Sequence, residues 1–216
     1  MKSLHFFTGS FDTAFDLINE TRNNFDKSKS SLIFAPVDLH SLSYSLSKEH
    51  QKFYKDIDYL APDGMPLVWW LTYVKNKPTQ RIYGPALFLY FLNKSHTIKA
   101  KQFFISPNEA KSRQLSKQII KEYPSLSTFK SASLQKNNKD DFDSIVNQIK
   151  KYNPDIIWIG IGTPTQIILA SKLKKELTSK IIFPVGAAFD FFTQDQTQAP
   201  KFIQNSGFEW LYRLMS

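Results

Sequence analysis

The 216-residue chain contains no cysteine. That absence excludes a disulfide framework, a thiolate nucleophile and a thiolate metal site, and it fits a reducing compartment. The four histidines, His5, His40, His50 and His96, are dispersed. None falls at a His-x3-His spacing, so no zinc-type site is expected. There is no Gly-x-Ser-x-Gly elbow and no P-loop, which removes support for a serine hydrolase or an ATPase. The N-terminus lacks an apolar run of signal-peptide length, and no segment approaches the length of a membrane span. The reading is a soluble, cytoplasmic protein. Glycine is also scarce, with seven in the whole chain. Acidic residues are outnumbered, 19 against 28 Lys and Arg, giving a net charge of +9. No Arg-rich run or basic-aromatic repeat accompanies that charge, so nucleic acid is not expected as a partner. A Lys-rich solvated surface is the plain reading. An anionic membrane surface or a polyanionic substrate are the sharper ones.

What is present is core material. At 42% hydrophobic and 15% aromatic residues, the chain is too apolar for disorder. Its length suits one α/β domain, here taken as residues 1–216. Leu4–Thr8 reads as a short strand, followed by a helix through Phe11, Phe15, Ile18 and Phe25. Ser31–Val37 reads as a strand, and Asp38 caps a helix over Leu39–Lys52. Ile57–Pro62 is a short apolar segment ending at the Asp63-Gly64 turn. Met65–Val74 is apolar on nearly every side and predicts a buried helix, with another at Pro85–Leu92. From Gln102 onward strands and helices alternate. Strands are expected at Gln102–Ile105, near Thr128, at Asp155–Ile159 and at Lys180–Val185. Helices are expected at Pro107–Tyr123, Asp140–Tyr152 and Pro164–Leu177. Ser131–Lys139 reads as a polar loop, and Ala199–Arg213 as an amphipathic C-terminal helix with a Glu209–Arg213 pair. Alternation of this kind predicts a Rossmann-like, mostly parallel sheet with helices on both faces. Ligands of such sheets bind beyond the carboxyl ends of the strands.

The strand-end turns carry the chemistry. Ile156–Gln166 reads IIWIGIGTPTQ, a buried strand breaking into a turn with Gly160 and Gly162 at a helix start. Bare N–H groups and the positive end of a helix dipole suit a phosphate there, with Pro164 at the first helical position. A tight structural turn is the equally weighted alternative. Gln166 lies where it could hydrogen-bond a sugar or phosphate. Asp63, at a strand end and followed at once by apolar residues, is placed where a half-buried carboxylate could act as a general base, although spacing alone favours an ordinary Asp-Gly turn that caps the Met65 helix. Arg81 precedes a helix and could aim its guanidinium at a diphosphate, or lie on the surface. Val185–Asp190 (VGAAFD) repeats the strand-glycine design, with Asp190 as a ribose ligand or a helix cap. The glycine pattern lacks the third glycine of a dinucleotide fingerprint, which weighs against a nicotinamide-dependent oxidoreductase.

Four blocks in order are APDGMP (61–66), QRIYGPALF (80–88), PDIIWIGIGTPTQ (154–166) and VGAAFDFFTQDQTQAPKFIQNSGFEWLYRL (185–214). With them the chain resembles the WecG/TagA/CpsF family of bacterial glycosyltransferases over nearly its whole length. The resemblance implies a Rossmann-like fold. It also implies inverting transfer of an N-acetylmannosamine-type or related sugar from a UDP donor, with no bound metal or other cofactor. The acceptor would be a polyprenyl-diphosphate-linked sugar at the inner face of the membrane, where the protein would be peripheral. The products would feed teichoic acid, capsule or exopolysaccharide. By the same resemblance Asp63 matches the general base, Arg81 the arginine at the UDP leaving group and Gln166 an active-site glutamine. Gly160, Gly162, Thr163, Pro164, Gly186, Phe189 and Asp190 match positions around the nucleotide pocket. The chain departs from the family pattern in six places. The third-strand loop reads Ile105–Asn108 without its usual glycine, Phe192–Gln194 lacks the glycine after Phe-Asp-Phe, and Gln198 replaces the Arg before Ala-Pro. No Thr-x-Asn follows the second strand, which reads Phe34–Asp38. Ile167 stands where Glu is usual, and the chain stops at Ser216 without the usual basic tail. The absent Thr-x-Asn and the missing tail motivate a second reading, a nucleotide-sugar-binding module of the same fold without catalysis. Self-association is a further expectation from the aromatic surface.

Overall fold

The computed structural model describes residues 4–26, 29–126, 128–134 and 139–195. Six parallel strands form one open sheet: β1 (Leu32–Val37), β2 (Tyr59–Pro62), β3 (Gln102–Ser106), β4 (Phe129–Ser133), β5 (Ile156–Ile159) and β6 (Ile181–Pro184). Their spatial order is β2-β1-β6-β5-β3-β4. β1, β3, β5 and β6 are buried at every position, as parallel strands covered on both faces must be. The period of two then divides their side chains between two cores. Phe34, Phe104, Trp158 and Phe183 point into one. Ile33, Ala35, Ile105, Ile157 and Ile182 point into the other. In the first core the rings of Trp158 and Phe183 stack at 4.4 Å.

Helices cover both faces. The Trp158 side receives α1 (Phe11–Asn23), α5 (Gly84–Asn93), α7 (Glu109–Glu122) and α10 (Ala188–Phe192). The Ile157 side receives α3 (Gln51–Tyr54), α4 (Met65–Trp69), α8 (Lys139–Tyr152) and α9 (Thr165–Glu176). Among the described residues there are also short α2 (Leu39–Ser43) and α6 (Ser95–Ile98). The sheet and its two-sided cover match the sequence-based expectation.

Several local expectations are corrected. Leu4–Thr8 is not a full strand; Phe6 alone makes a parallel bridge, to Leu60. Leu39–Lys52 is not one helix but α2, a 3₁₀ turn at Tyr44–Leu46 and α3. Serine hydroxyls interrupt it: Ser43 and Ser45 donate back to the carbonyls of His40 and Leu42 at 2.7 and 2.6 Å, bonds that compete with helix continuation. Met65–Val74 is not buried all round. It is α4 continued by a wider π turn at Trp70–Val74, with Leu67, Val68 and Leu71 inward and Trp69, Trp70, Tyr73 and Val74 exposed. Ser131–Ser133 belong to β4 rather than to a loop. The expected C-terminal amphipathic helix and its Glu209–Arg213 pair lie outside the described residues.

β1 and β6 are neighbours in the sheet, but the chain leaves β1 into α2 on the Ile157 side and leaves β6 into α10 on the Trp158 side. Where adjacent parallel strands send the chain to opposite faces, a crevice opens beyond their carboxyl ends, a switch point.

Candidate active site

A cavity of about 250 Å³ lies at that switch point. Pro36 and Asp38 reach it from the end of β1, and Asp63 from the end of β2. Gly162, Thr163 and Gln166 come from the turn after β5, and Val185 to Ala187 from the end of β6. Tyr83, Pro85 and Phe191 close one wall, and His40 and Ser41 another.

Asp63 is placed by the sheet. The parallel register sets Pro62 beside Val37, so Asp38 and Asp63 leave neighbouring strands together. The Asp63 N–H donates to the Val37 carbonyl at 2.9 Å. Its Oδ2 accepts the N–H of Gly84, the first residue of α5, at 3.1 Å. Its Oδ1 lies 3.5 Å from Nη2 of Arg81, whose Nε donates to the Asp63 main-chain carbonyl. The guanidinium also stacks on Tyr83, 4.5 Å from the ring centroid. A cation and a helix N-terminus therefore both face this carboxylate. A Cβ on Gly84 would come within 2.9 Å of the Val185 carbonyl. Glycine there lets α5 start against β6 and bring its N–H to Asp63. Arg81 stands behind Asp63 and does not line the described cavity.

The turn after β5 differs from the sequence-based picture. Pro164 is the N-cap of α9, one position before the first helical residue. The N–H groups of Gly160, Gln166 and Ile167 are engaged with the carbonyls of Ile105, Gly162 and Pro164, so they are not bare donors for a phosphate. Gly162 has φ 83°, and a Cβ there would meet nothing within 4 Å; its backbone is open to the cavity side. Buried Gln166 joins two turns. Its Oε1 accepts the Gly186 N–H at 2.8 Å, and its Nε2 donates to Thr163 Oγ1 at 3.2 Å.

Four expected pocket residues, Gly160, Pro164, Phe189 and Asp190, do not line the cavity. Gly160 is a packing glycine, since an added Cβ would come within 2.4 Å of Cδ2 in the Phe189 ring. Phe189 is itself core, against Phe88 and Phe104. Asp190 pairs with Lys111 of α7 at 2.6 Å, and Lys111 also binds Asp195. Burial works to lower the Lys111 pKa, but the hydrogen bonds it donates to Asp190 and Asp195, together with their charges, outweigh it and the pKa is raised. The same ammonium holds Asp195 well below the usual carboxylate range. This cluster ties α10 to α7 rather than facing the cavity.

Sequence reasoning missed Asp38, His40, Ser41, Tyr83 and Phe191 as cavity residues. Asp38 was read only as a cap, and it is one, accepting the Ser41 N–H at 2.7 Å. The signal for its second position was adjacency, because the residue after one parallel strand lies beside the residue after the next. A larger hollow of about 610 Å³ lies between α7 and the β4 edge. Its side chains are largely paired with one another, Ser112 with Ser131 and Arg113 with Glu109. It lies away from the switch point, so the smaller cavity is the better candidate. Among the described residues no three His, Asp or Glu side chains converge as a metal site.

Known proteins resemble about three quarters of this chain. An N-acetylglucosaminyldiphosphoundecaprenol N-acetyl-beta-D-mannosaminyltransferase of Bacillus spizizenii is 25% identical over 160 residues, covering 74% of this chain and 61% of that protein. The Bacillus subtilis protein of the same name is 24% identical over 158 residues, 73% of this chain and 60% of its own length. The Staphylococcus aureus protein of that name is 24% identical over 169 residues, 77% and 65% respectively. The chain thus spans somewhat under two thirds of the length of these relatives. The family model described as Glycosyl transferase WecG/TagA/CpsF family matches residues 4–216, and the chain belongs to that family.

Proposed function

We propose that this chain transfers an N-acetylmannosamine-type or related sugar from a UDP donor to a polyprenyl-diphosphate-linked sugar. The reaction inverts the anomeric centre without a metal, at the inner face of the membrane, in surface polysaccharide or teichoic acid synthesis. Family membership and the names of the three relatives support the reaction class. One observation carries the mechanism: Asp63 faces the switch-point cavity, held by Gly84 and Arg81, with the Gly162–Gln166 turn and Gly186 opposite. In this reading the Asp63 carboxylate takes the proton from the acceptor hydroxyl. The hydroxyl oxygen attacks the anomeric carbon, and the carbon–oxygen bond to UDP breaks with its electron pair on the diphosphate. Arg81 acts first as the positioning partner of Asp63, and its charge favours the anionic leaving group at the same sheet end. The cavity volume is just under the ~300–1,000 Å³ usual for small-molecule sites, a size that suits part of a nucleotide sugar.

The test uses the purified chain with a UDP-sugar and a lipid-diphosphate acceptor. Asp63→Asn is expected to lower turnover by roughly 10²–10⁴-fold with UDP affinity nearly unchanged. Wild-type turnover in that variant defeats the base assignment. Product anomer by NMR and activity in a chelator test inversion and metal independence. The internal engagement of the Gln166 amide favours a second reading, a nucleotide-sugar-binding module without catalysis. UDP binding with no transfer to any lipid-diphosphate acceptor would establish it.

A further inference from the structure

The segment after Asp63 has two faces. Leu67, Val68 and Leu71 enter the core. On the other side Trp69 and Trp70 are 42% and 39% exposed, Tyr73 77% and Val74 65%. Four large side chains in one α4–π-turn segment make a contiguous apolar face, which a protein in water alone has reason to avoid. Its composition is specific. Trp and Tyr pair an apolar ring with a polar handle and concentrate where hydrocarbon meets water. Lys75 lies 5.0 Å over the Trp70 ring, and Lys77 follows it.

Charge identifies the occupant. From Gly64 to Asn108 the chain has no Asp or Glu, while it carries Lys75, Lys77, Arg81, Lys94, Lys99 and Lys101. An aromatic face flanked by lysines, in a stretch without an acidic residue, complements an anionic phospholipid surface. No helix among the described residues is long and apolar enough to cross a membrane. The face belongs to the segment that leaves Asp63: α4 starts two residues after it, and Trp69 lies about 6 Å of helical rise beyond Met65.

We infer that Trp69, Trp70, Tyr73 and Val74, with Lys75 and Lys77, dock the protein on an anionic lipid bilayer. The rings enter the headgroup layer and the ammonium groups meet lipid phosphates. In purpose this rests on the transferase reading, since a membrane-borne acceptor would then reach Asp63 from the docked side. The surface chemistry itself stands without it.

The experiment is co-sedimentation of the full chain with vesicles, either phosphatidylcholine alone or equal parts phosphatidylcholine and phosphatidylglycerol. Binding is expected to the anionic vesicles and to weaken with salt. Trp69→Ser combined with Tyr73→Ser, and separately Lys75→Glu combined with Lys77→Glu, each should lower it by about tenfold or more. Circular dichroism confirms that the variants fold. Transfer to a short-chain, water-soluble acceptor should match wild type in both variants, while transfer to a vesicle-borne acceptor falls. Absence of wild-type binding to anionic vesicles, or equal binding by the folded variants, overturns the docking surface. So does self-association that the Trp69/Tyr73 variant abolishes without any vesicle binding, which would assign the face to a second copy. Vesicle binding without soluble transfer leaves the docking surface in place and defeats the transferase reading. Soluble transfer without vesicle binding does the reverse.

Discussion

The side chain of Gln166 joins turns that leave two different strands. Its carbonyl holds the N–H of Gly186 and its amide holds Thr163. Gly186 has φ 61°, a conformation that costs glycine little and other residues more. Gln166→Leu keeps most of the volume but leaves a half-buried N–H without its acceptor, a cost of about 1–2 kcal/mol. A fall in Tm of roughly 2–8 °C is expected for a chain of this size, together with weaker UDP binding. Gln166→Glu retains an acceptor for Gly186 and should keep most of the stability while losing the donor to Thr163. Thermal unfolding and UDP titration of the pair decide this; equal losses of stability in both would shift the role to the donor. The same residues show how far a single sequence reaches. Asp63, Gly162, Thr163, Gln166 and Gly186 were legible because they sit where strands end in turns. Gly160 looked the same but serves the Phe189 ring, since a glycine needed for packing and one needed for a ligand leave the same local pattern. Asp190 was misplaced because its partner, Lys111, is remote in sequence, and local spacing does not encode such a pair.

At the scale of elements, propensity and periodicity located the strands and longer helices to within a few residues. They failed where side chains compete with the backbone, as the serines do between α2 and α3. They also failed where an apolar run carries an outward face, as at Trp69–Val74. Contacts between elements were not legible at all. One example links α1 to α5: the Tyr90 hydroxyl donates to Asp12 Oδ1. That hydrogen bond, with lesser contributions from burial and the charges of Asp12 and Asp16, pushes the Tyr90 pKa from 10.0 up to about 12. A pKa raised in the folded state contributes stability that is whole below the unfolded value. The contribution is lost as pH rises through the folded value, here between about pH 10 and 12. The pair is largely solvated, so its contribution is held to about 1 kcal/mol or less. Tyr90→Phe should therefore melt slightly below wild type at pH 8, with the gap closing across pH 10–12. A gap that is constant with pH would remove the hydrogen bond from the account.

For the whole molecule, the important fact is that one sheet organises both the core and the site. The same β5 and β6 that stack Trp158 on Phe183 end in the Gly162 and Gly186 turns. β1 and β2 bring Asp38 and Asp63 to the other side of the crevice. A ligand held across that crevice bridges four of the six strands, so its binding energy acts on the unfolding of the sheet rather than on one loop. Mass action gives about 2.7 kcal/mol of stabilisation at 100 times Kd. For a chain of this length that amounts to roughly 5–10 °C in Tm. UDP is expected to produce a shift of that order, and Asp63→Asn to retain it, because that variant removes a base and not the nucleotide's seat. NAD and NADP should produce none. The measurement is a thermal-shift titration of wild type and Asp63→Asn against the three nucleotides. A shift with NAD or NADP and none with UDP would replace the transferase reading by a dehydrogenase-type one. A UDP shift lost in Asp63→Asn would move Asp63 from catalysis to nucleotide binding.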